Sequence, residues 1–249
     1  MRINYDIVKI FLPLLVLILI LGCSDPVEYT EDYDNTNTST TTGLLRFIHA
    51  ASTTDNLVLN YRDLDSDTYE TFISGPEYGF QYGYYSFRTG VREFAAFEAN
   101  TSIKIAQTKF ELEENKKYSL IAFDYDATLS PDLLVLEDTL SVPDSAYSFV
   151  RFLHLASGVG TIEIEDLDYV QVLTELDANA YSVYLNLQSR TYFLNVRLQS
   201  TQQNLLYKIP ATFLSGVTYT VILSGSINSL TPVELNMNIL RDESIDLLL

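Results

Sequence analysis

RFIHAAS, at residues 46–52, occurs a second time as RFLHLAS at residues 151–157, and the two heptads contain both histidines of the 249-residue chain. A match that returns within one chain indicates a duplicated structural unit. Strand-favouring apolar residues fill both heptads, so we interpret each as the first strand of one copy. The residues that define the repeat here are Arg46, His49, Ser52, Arg151, His154 and Ser157.

The duplication continues along the chain in the same order. The heptads are 105 residues apart, and the later matches are 99 and then 101 residues apart, so only loop lengths differ. We therefore predict two homologous domains, 44–140 and 147–245, joined by a linker at 141–146, each long enough to bury its own core. The matched stretches after the heptads are 82–85 with 181–184, Phe94 with Phe193, and 112–121 with 213–222.

Each copy has the pattern of an all-β domain. In the stretch 190–198, Tyr192, Leu194, Val196 and Leu198 alternate with other residues and would share one face of a strand. Similar runs recur about every 8–12 residues, with no helical periodicity between them. About eight short strands per copy favour two tandem immunoglobulin-like β-sandwiches, with a small barrel as the alternative.

A paired turn supports this interpretation. Asn115 and Gly216, both suited to a left-handed backbone conformation, precede Tyr118 and Tyr219 by three residues. We expect these two tyrosines to be corner residues, with the ring packed inward and the hydroxyl bonded to backbone.

The first 22 residues are typical of a signal peptide. Arg2 and Lys9 give a basic start, and the apolar run 10–21 is shorter than the roughly 20 residues that a spanning helix needs. The following Ile-Leu-Gly-Cys resembles a bacterial lipobox, which implies cleavage before Cys23 and lipidation of its thiol. Cys23 is the only cysteine, so the remaining chain would contain no disulfide.

Residues 23–43 form an acidic and then Thr/Asn-rich segment with few apolar side chains. Such a composition predicts a flexible tether between a lipidated Cys23 and the folded domains. Two acyl chains anchor a protein durably, so the expected partner is a membrane, reached through the lipid anchor. The expected location is the envelope of a Gram-negative bacterium, at the outer membrane, with either face possible.

The chain is strongly acidic, with a formal net charge of −18. The segment 1–22 carries a net +1, so the remaining chain carries −19. Such a charge repels nucleic acid, which excludes that partner class, and no basic patch is visible in the sequence.

Ser52 and Ser157 follow the two histidines by three residues, so each pair could in principle supply a nucleophile and a catalytic base. Duplicated domains need the same fold-specifying contacts in both copies, whereas they seldom need two active sites. We therefore assign both histidines a structural role, with the ring on the same side of the strand as the preceding Phe and bonded to backbone or to the following Ser. We predict no catalytic residue, no cofactor and no metal site.

Acidic turns at 63–67, 124–126 and 166–168 were compared with calcium loops. In the first, Thr68 and Ser74 stand where an EF-hand needs Gly and Glu, so that motif fails. We interpret all three as solvated turns.

An aromatic-rich stretch at 78–87 is the strongest candidate for binding. Six aromatic residues in ten positions cannot all face one side of a strand, so some could form an exposed strip for a sugar or a protein. We favour the other interpretation, in which several of the rings pack on the neighbouring domain or simply cover the sheet. The members are Tyr78, Phe80, Tyr82, Tyr84, Tyr85 and Phe87.

Two tripeptides around the linker resemble the Asp-Ser/Thr-aliphatic acceptor of one bacterial O-glycosylation system. They would place glycans on Thr139 and Ser145.

The doubled Arg-Phe-x-His-x-Ala-Ser opening, the turn followed by Tyr-Ser/Thr-x-Ile, and the lipobox together resemble tandem copies of the bacterial domain of unknown function 4397. The sequence departs from that pattern at residues 53–54 and 158–159, where a Pro-containing turn is common. The resemblance implies an exported β-sandwich protein. We expect a non-enzymatic, membrane-anchored lipoprotein that acts as an interaction or envelope-associated module. A glycan-binding accessory lipoprotein is the alternative, and an enzyme of unknown reaction is third.

Overall fold

The computed structural model describes residues 41–54, 56–125, 131–139, 141, 143–169, 171–227 and 233–242. In these ranges the chain forms sixteen β-strands and no helix. The first eight are β1 (Thr42–His49), β2 (Leu57–Asp63), β3 (Glu70–Ser74), β4 (Tyr85–Arg88), β5 (Gly90–Glu98), β6 (Lys104–Leu112), β7 (Lys117–Asp124) and β8 (Pro131–Asp138). The second eight are β9 (Tyr147–His154), β10 (Ile162–Asp166), β11 (Gln171–Leu176), β12 (Leu185–Gln188), β13 (Thr191–Leu198), β14 (Asn204–Thr212), β15 (Thr218–Ser224) and β16 (Asn236–Arg241).

The strands form four four-stranded sheets. Sandwich 1 consists of an inner sheet, β4-β1-β7-β8, and an outer sheet, β3-β2-β5-β6. Sandwich 2 repeats this order, with the inner sheet β12-β9-β15-β16 and the outer sheet β11-β10-β13-β14. In each inner sheet the two central strands run parallel, β1 with β7 and β9 with β15. The predicted all-β class with two tandem sandwich units is confirmed. No helix among the described residues has the length and apolarity needed to cross a bilayer.

Each sandwich has a separate apolar core between its inner and outer sheets. In sandwich 1, Leu45 and Phe47 of β1 pack against Leu59 of β2 and Phe94 of β5, all of them buried. In sandwich 2, the corresponding strands contribute the buried side chains Val150, Phe152, Ile164 and Leu194. The predicted face of β13, carrying Tyr192, Leu194 and Val196, is buried in this core.

A third apolar cluster joins the two inner sheets. Most of its members come from the opposite faces of the central strands or directly follow them, and Leu136 and Leu240 come from the neighbouring edge strands β8 and β16. The central strands are therefore buried on both faces, and their sequences are nearly continuously apolar. The buried members are Ile48, Ala50, Ile121, Phe123 and Leu136 from sandwich 1, and Leu153, Leu155, Ile222 and Leu240 from sandwich 2.

The register of the strands corrects one detail of the predicted duplication. Leu45 pairs with Tyr85 in sandwich 1, and Val150 pairs with Leu185 in sandwich 2, so these two pairs are equivalent. The spacing in this part of the chain is therefore 100 residues, and the predicted spacing of 99 is wrong. Because side chains alternate between faces, that shift of one residue assigned each side chain to the wrong face.

The same correction applies to β5 and β13. Leu57 pairs with Glu98 and Ile162 pairs with Leu198, which makes Leu194 the equivalent of Phe94. Phe94 and Leu194 are both fully buried, whereas Phe193, the residue that was matched to Phe94, is only half-buried.

The two corner tyrosines have the predicted geometry. Asn115 and Gly216 both adopt positive φ angles, 59° and 74°. The hydroxyl of Tyr118 accepts a hydrogen bond from the backbone N–H of Glu113 at 3.3 Å, and that of Tyr219 accepts one from Leu214 at 3.0 Å. Both rings are buried. The turn and the tyrosine together fix the entry into β7 and β15.

We expect Gly216→Val to lower the free energy of unfolding by about 1–2 kcal/mol, because a β-branched residue is strained at positive φ. Gly216→Asn introduces the residue that sandwich 1 uses at the equivalent turn, so it should cost clearly less. Urea denaturation of the two variants measures the difference, and equal losses would contradict the role of the turn.

Candidate functional site

Both histidines are fully buried within the sandwich cores and are bonded to backbone. His49 Nε2 lies 2.9 Å from the carbonyl oxygen of Thr54, and His154 Nε2 lies 2.9 Å from that of Gly160. The ring of His49 also lies on the same side of β1 as Phe47, with 6.4 Å between ring centroids. Each ring therefore holds the loop that follows the first strand of its own sandwich.

The serines of the heptads are not partners of the histidines. Ser52 is buried, and both its backbone N–H and its hydroxyl donate to Asp124 Oδ2, at 2.6 and 2.7 Å. Asp124 also accepts a hydrogen bond from Thr53 at 2.5 Å. The prediction of a solvated turn at Asp124 is therefore wrong, since this carboxylate is a buried acceptor. In sandwich 2 the backbone N–H of Ser157 donates instead to the carbonyl oxygen of Gly225, at 2.9 Å.

The arginines of the heptads form a buried polar network between the two inner sheets. Arg46 and Arg151 are 2 % and 3 % exposed, and the two carboxylates that they contact, Asp138 and Asp242, are buried as well. Arginine and aspartate are almost never buried unless they are paired. Here Arg46 Nη2 lies 2.6 Å from Asp242 Oδ1, and the Arg151 guanidinium forms an ion pair with Asp138.

These ion pairs are reciprocal across the interface. Arg46 belongs to sandwich 1 and pairs with Asp242, which follows β16 of sandwich 2. Arg151 belongs to sandwich 2 and pairs with Asp138 at the end of β8 in sandwich 1. Reciprocal contacts of this kind are the property of an interface between two symmetry-related copies of one protein. The single chain therefore contains the equivalent of a symmetric dimer.

Two hydroxyls complete the centre of the network. Ser119 accepts a hydrogen bond from Arg46 Nε at 2.6 Å and donates to Asp138 Oδ2 at 2.7 Å. Thr220 has the same role in sandwich 2, accepting from Arg151 Nε at 2.9 Å and donating to Asp242 at 3.0 Å. Each hydroxyl thus connects an arginine to the aspartate of its own sandwich.

Two tyrosines cover the arginines. Tyr84 donates to Asp138 Oδ2 at 2.6 Å, and Tyr184 donates to Asp242 Oδ2 at 3.0 Å. The guanidinium carbon of Arg46 lies 5.1 Å from the Tyr84 ring centroid, and that of Arg151 lies 5.0 Å from the Tyr184 centroid. Both distances are in the range of a cation–π contact.

Neighbouring groups and burial set the protonation states of Arg46 and Tyr84 in the network. Burial acts to lower the pKa of Arg46, but the carboxylates of Asp138 and Asp242 outweigh it and raise the pKa above its ordinary value. Burial raises the pKa of Tyr84 above the ordinary value as well, so its hydroxyl stays a donor. A permanently charged arginine and an un-ionised tyrosine suit a structural network.

The aromatic stretch at 78–87 is not one exposed strip, and several of its members are packed, as in the favoured interpretation of the sequence. Tyr84 is buried in the network, and Phe87 is buried in the core of sandwich 1. Tyr78 bonds to Ser224 of sandwich 2, with 2.7 Å between the hydroxyls. Only Phe80 and Tyr85 are exposed, at 44 % and 46 %, while Tyr82 is half-buried. Alternation along β4 sends neighbouring side chains to different environments.

The acidic turns are engaged with arginine. Asp63 Oδ1 lies 2.7 Å from Arg92 Nε, and the buried Asp166 forms an ion pair with Arg190. The prediction of a solvated turn is therefore wrong for Asp166. Among the described residues, no group of three or more His, Cys, Asp or Glu side chains has an arrangement that could hold a metal ion. Asp126 lies outside the described residues.

The proposed glycosylation positions differ in accessibility. Ser145 and the preceding Asp144 are exposed, so that tripeptide is open to an enzyme. Thr139 is half-buried and follows the buried Asp138, whose carboxylate belongs to the network, so Thr139 is less accessible than Ser145. Cys23, the predicted signal segment and the predicted tether up to residue 40 lie outside the described residues, and Thr42 and Gly43, the last two residues of that predicted tether, belong to β1.

A groove at the open side of sandwich 1 is a further candidate site. It lies between the edge strands β3 and β4 and has a volume of about 540 Å³. Its lining includes Tyr61, Phe72, Tyr85, Arg88 and Glu70. Sequence reasoning found Tyr85 but assigned it to the wrong surface, because its partner Phe72 comes from a different strand of the other sheet.

We expect Asp138→Asn to lower the free energy of unfolding by about 3–5 kcal/mol, because it leaves two buried arginines with one carboxylate. Glu137→Gln is the matched control: its side chain is 56 % exposed and pairs with Lys116, so its effect should stay within about 0.5 kcal/mol. Urea denaturation measures both, and a loss at Asp138 as small as that at Glu137 would contradict the network.

Burial lowers the pKa of His154 below its ordinary value of 6.5. The unfolded chain then binds a proton more readily than the folded chain, so this residue's contribution to stability is complete above pH 6.5 and is lost as the pH falls through the lower folded value. The urea midpoint of the unmodified chain should fall between about pH 7.5 and about pH 5, and His154→Gln should flatten that dependence. An unchanged slope in the variant would contradict this assignment.

The comparisons with known proteins give one family match and several distant structural similarities. A search of curated proteins finds no match. Among solved structures, the chain is similar to the Bacillus anthracis TIE protein, with 8 % identity and a TM-score of 0.24, covering 82 % of this chain and 32 % of that one. It is also similar to a leucine-rich repeat protein from Bacteroides thetaiotaomicron, with 9 % identity and a TM-score of 0.20, covering 78 % and 26 %.

The chain thus spans about a third and a quarter of those two proteins. The family model for a domain of unknown function, DUF4397, matches residues 43–165, which include sandwich 1, β9 and most of β10. Both heptads, with Arg46 and Arg151, fall inside this match. The family model thus matches one copy of this domain, at residues 43–165.

Proposed function

We propose that this chain is a non-enzymatic lipoprotein of the cell envelope, anchored through lipid on Cys23, whose paired sandwiches act as one rigid binding module. The observation that carries the non-enzymatic part is the location of the repeated polar residues. His49, Ser52 and Arg46, together with their counterparts in the second heptad, are all buried. Both histidine rings, both guanidinium groups and the Ser52 hydroxyl are bonded within the fold.

A catalytic nucleophile must reach substrate and must be bonded to its base. Ser52 does neither, because its hydroxyl is buried and donates to Asp124, while His49 Nε2 is bonded to backbone. The repeated residues are therefore committed to the fold. The sites left for function are exposed surfaces and grooves, which favour binding over reaction.

The rigidity of the module follows from its interface. Two sandwiches joined only by a short linker would be expected to move relative to each other. Here the linker region is accompanied by an apolar cluster and a buried ion-pair network, which oppose such movement. A rigid pair presents its surfaces in a fixed arrangement at the end of the tether.

The anchoring part is tested by growing cells that express the full chain with a labelled fatty acid. We expect label on the unmodified protein and none on Cys23→Ser, together with a mature chain that begins at Cys23 by mass spectrometry. An unlabelled unmodified chain, or one that keeps residues 1–22, would contradict the anchor.

Protease treatment of intact and permeabilised cells then reports which membrane face carries the module. Degradation in intact cells indicates the outer face, and degradation only after permeabilisation indicates the periplasmic face. Recovery of the full-length chain in the soluble fraction after both treatments would contradict the proposed envelope location.

A further inference from the structure

On one side of each sandwich, an edge strand of the inner sheet faces an edge strand of the outer sheet across a groove. In sandwich 1 these strands are β4 and β3, and in sandwich 2 they are β12 and β11. Both sides contain a groove, of about 540 Å³ in sandwich 1 and about 340 Å³ in sandwich 2. Both volumes fall in the range of small-ligand sites. We call them groove 1 and groove 2.

Aromatic rings form the wall of groove 1. The Phe72 ring lies 5.4 Å from that of Tyr85 and 4.9 Å from that of Phe87, nearly perpendicular to both. Tyr61 continues the wall, with its ring 5.3 Å from Phe87. Phe87 is buried behind the wall, whereas Tyr85 is 46 % exposed at its outer end. An accessible ring face is thus held in place by the rings behind it.

Polar groups surround this wall. Glu70 is exposed and accepts a hydrogen bond from the Tyr61 hydroxyl at 2.5 Å, which orients its carboxylate along the groove. Arg88 is exposed on the opposite strand, and Thr71 and Ser86 add hydroxyls to the lining. Donors and acceptors are therefore available next to an apolar ring face.

The second copy of the fold shows which of these residues the fold itself requires. The register makes Leu185 the equivalent of Tyr85 and Leu187 the equivalent of Phe87. On the outer sheet, Tyr61 of β2 pairs with Glu70 of β3, and in the same way Asp166 of β10 pairs with Gln171 of β11. Both strand pairs have a bulge at the same position of the register. This register makes Leu173 the equivalent of Phe72. Sandwich 2 therefore builds the same edge with leucines.

Groove 2 also differs from groove 1 because an arginine of the chain covers its aromatic rings. Arg190 lies over both tyrosines of that groove, 3.6 Å from the ring centroid of Tyr192 and 4.6 Å from that of Tyr169. Within the described residues, no cation lies over the ring of Phe72 or Tyr85. The rings of groove 2 are occupied by the protein's own arginine, and the outer ring of groove 1 is accessible.

We propose that groove 1 binds a neutral saccharide. A sugar ring has C–H groups on one face, which pack on an aromatic ring, and hydroxyls around its edge, which bond to carboxylate, guanidinium and hydroxyl groups. Groove 1 has this combination in Tyr85 and Phe72 with Glu70 and Arg88 beside them. The two carboxylates of the groove, Glu70 and Asp63, balance its two arginines, Arg88 and Arg92, which suits a neutral ligand. The net charge of −18 of the chain disfavours a polyanion.

This inference rests on the proposed function as a binding module and is independent of the lipid on Cys23. It replaces the predicted strip at 78–87 with a site built from two edge strands. Of that strip, only Tyr85 remains as a residue that contacts the ligand.

The test is isothermal titration calorimetry of the detergent-solubilised full chain with two neutral probes, a β-1,4-linked glucohexaose and a mannohexaose. We expect saturable binding of at least one probe. The double variant Phe72→Leu with Tyr85→Leu, which uses the side chains of sandwich 2, should weaken that binding about tenfold while the unfolding temperature stays close to that of the unmodified chain.

Tyr85→Leu alone is the second variant, since its half-exposed side chain is the least involved in the core, and it should weaken binding in the same direction. Tyr169→Leu in groove 2 is the matched control and should leave the affinity unchanged. No saturable binding of either probe overturns the proposal, as does binding that both groove 1 variants leave intact. Binding of an extended apolar peptide instead of the saccharides would overturn it in favour of strand addition at β3 or β4. Fatty-acid labelling of Cys23 is read separately, so loss of the anchor and loss of the saccharide site are distinguishable.

Discussion

Two arginines buried between two sheets are the constraint on which the arrangement of this protein depends. A buried guanidinium is tolerated only when carboxylates and hydrogen-bond acceptors satisfy it. Arg46 Nη2 reaches Asp242 on sandwich 2 while its Nε lies 3.6 Å from Asp138 of its own sandwich, and Arg151 pairs with Asp138 on sandwich 1. Separating the sandwiches would therefore break the two ion pairs that cross the interface and expose an otherwise apolar face. The apolar cluster around the network supplies the burial, and the network specifies which arrangement of the two faces is allowed.

Much of the fold could be predicted from the sequence, because its signals are local. The heptads, the alternating pattern of β13 and the paired turn at Asn115 and Gly216 led to two tandem all-β units. The network could not be predicted, since Asp242 lies 196 residues from Arg46 along the chain and Asp138 is separated from Arg151 by the linker. The two aspartates also match each other at a spacing of 104 residues, different from the other spacings. Asp138 was assigned to a glycosylation tripeptide instead. One signal was present: Ser119 and Thr220 are isolated polar residues inside strands that are otherwise nearly continuously apolar.

The candidate site could not be predicted either, because it also depends on side chains from different strands. A pattern along one strand does not reveal which side chain from a different strand stands beside it, and groove 1 is made by such a pair, Phe72 and Tyr85. The strip interpretation fails because adjacent residues belong to different environments: Tyr84, directly before β4, to the interface, and Tyr85, the first residue of β4, to the groove. Duplication then becomes useful after the structure is known. Where the two sandwiches use the same residue type, the fold explains it, and where they differ, as in the two grooves, the difference points to function.

The central claim is that the reciprocal network makes the two sandwiches one cooperative unit. Differential scanning calorimetry tests it most directly. The account predicts a single transition for the unmodified chain, with equal calorimetric and van't Hoff enthalpies, and two resolved transitions for Asp138→Asn, in which the sandwiches unfold separately. Two transitions in the unmodified chain, or one undivided transition that Asp138→Asn leaves unaltered, would contradict it.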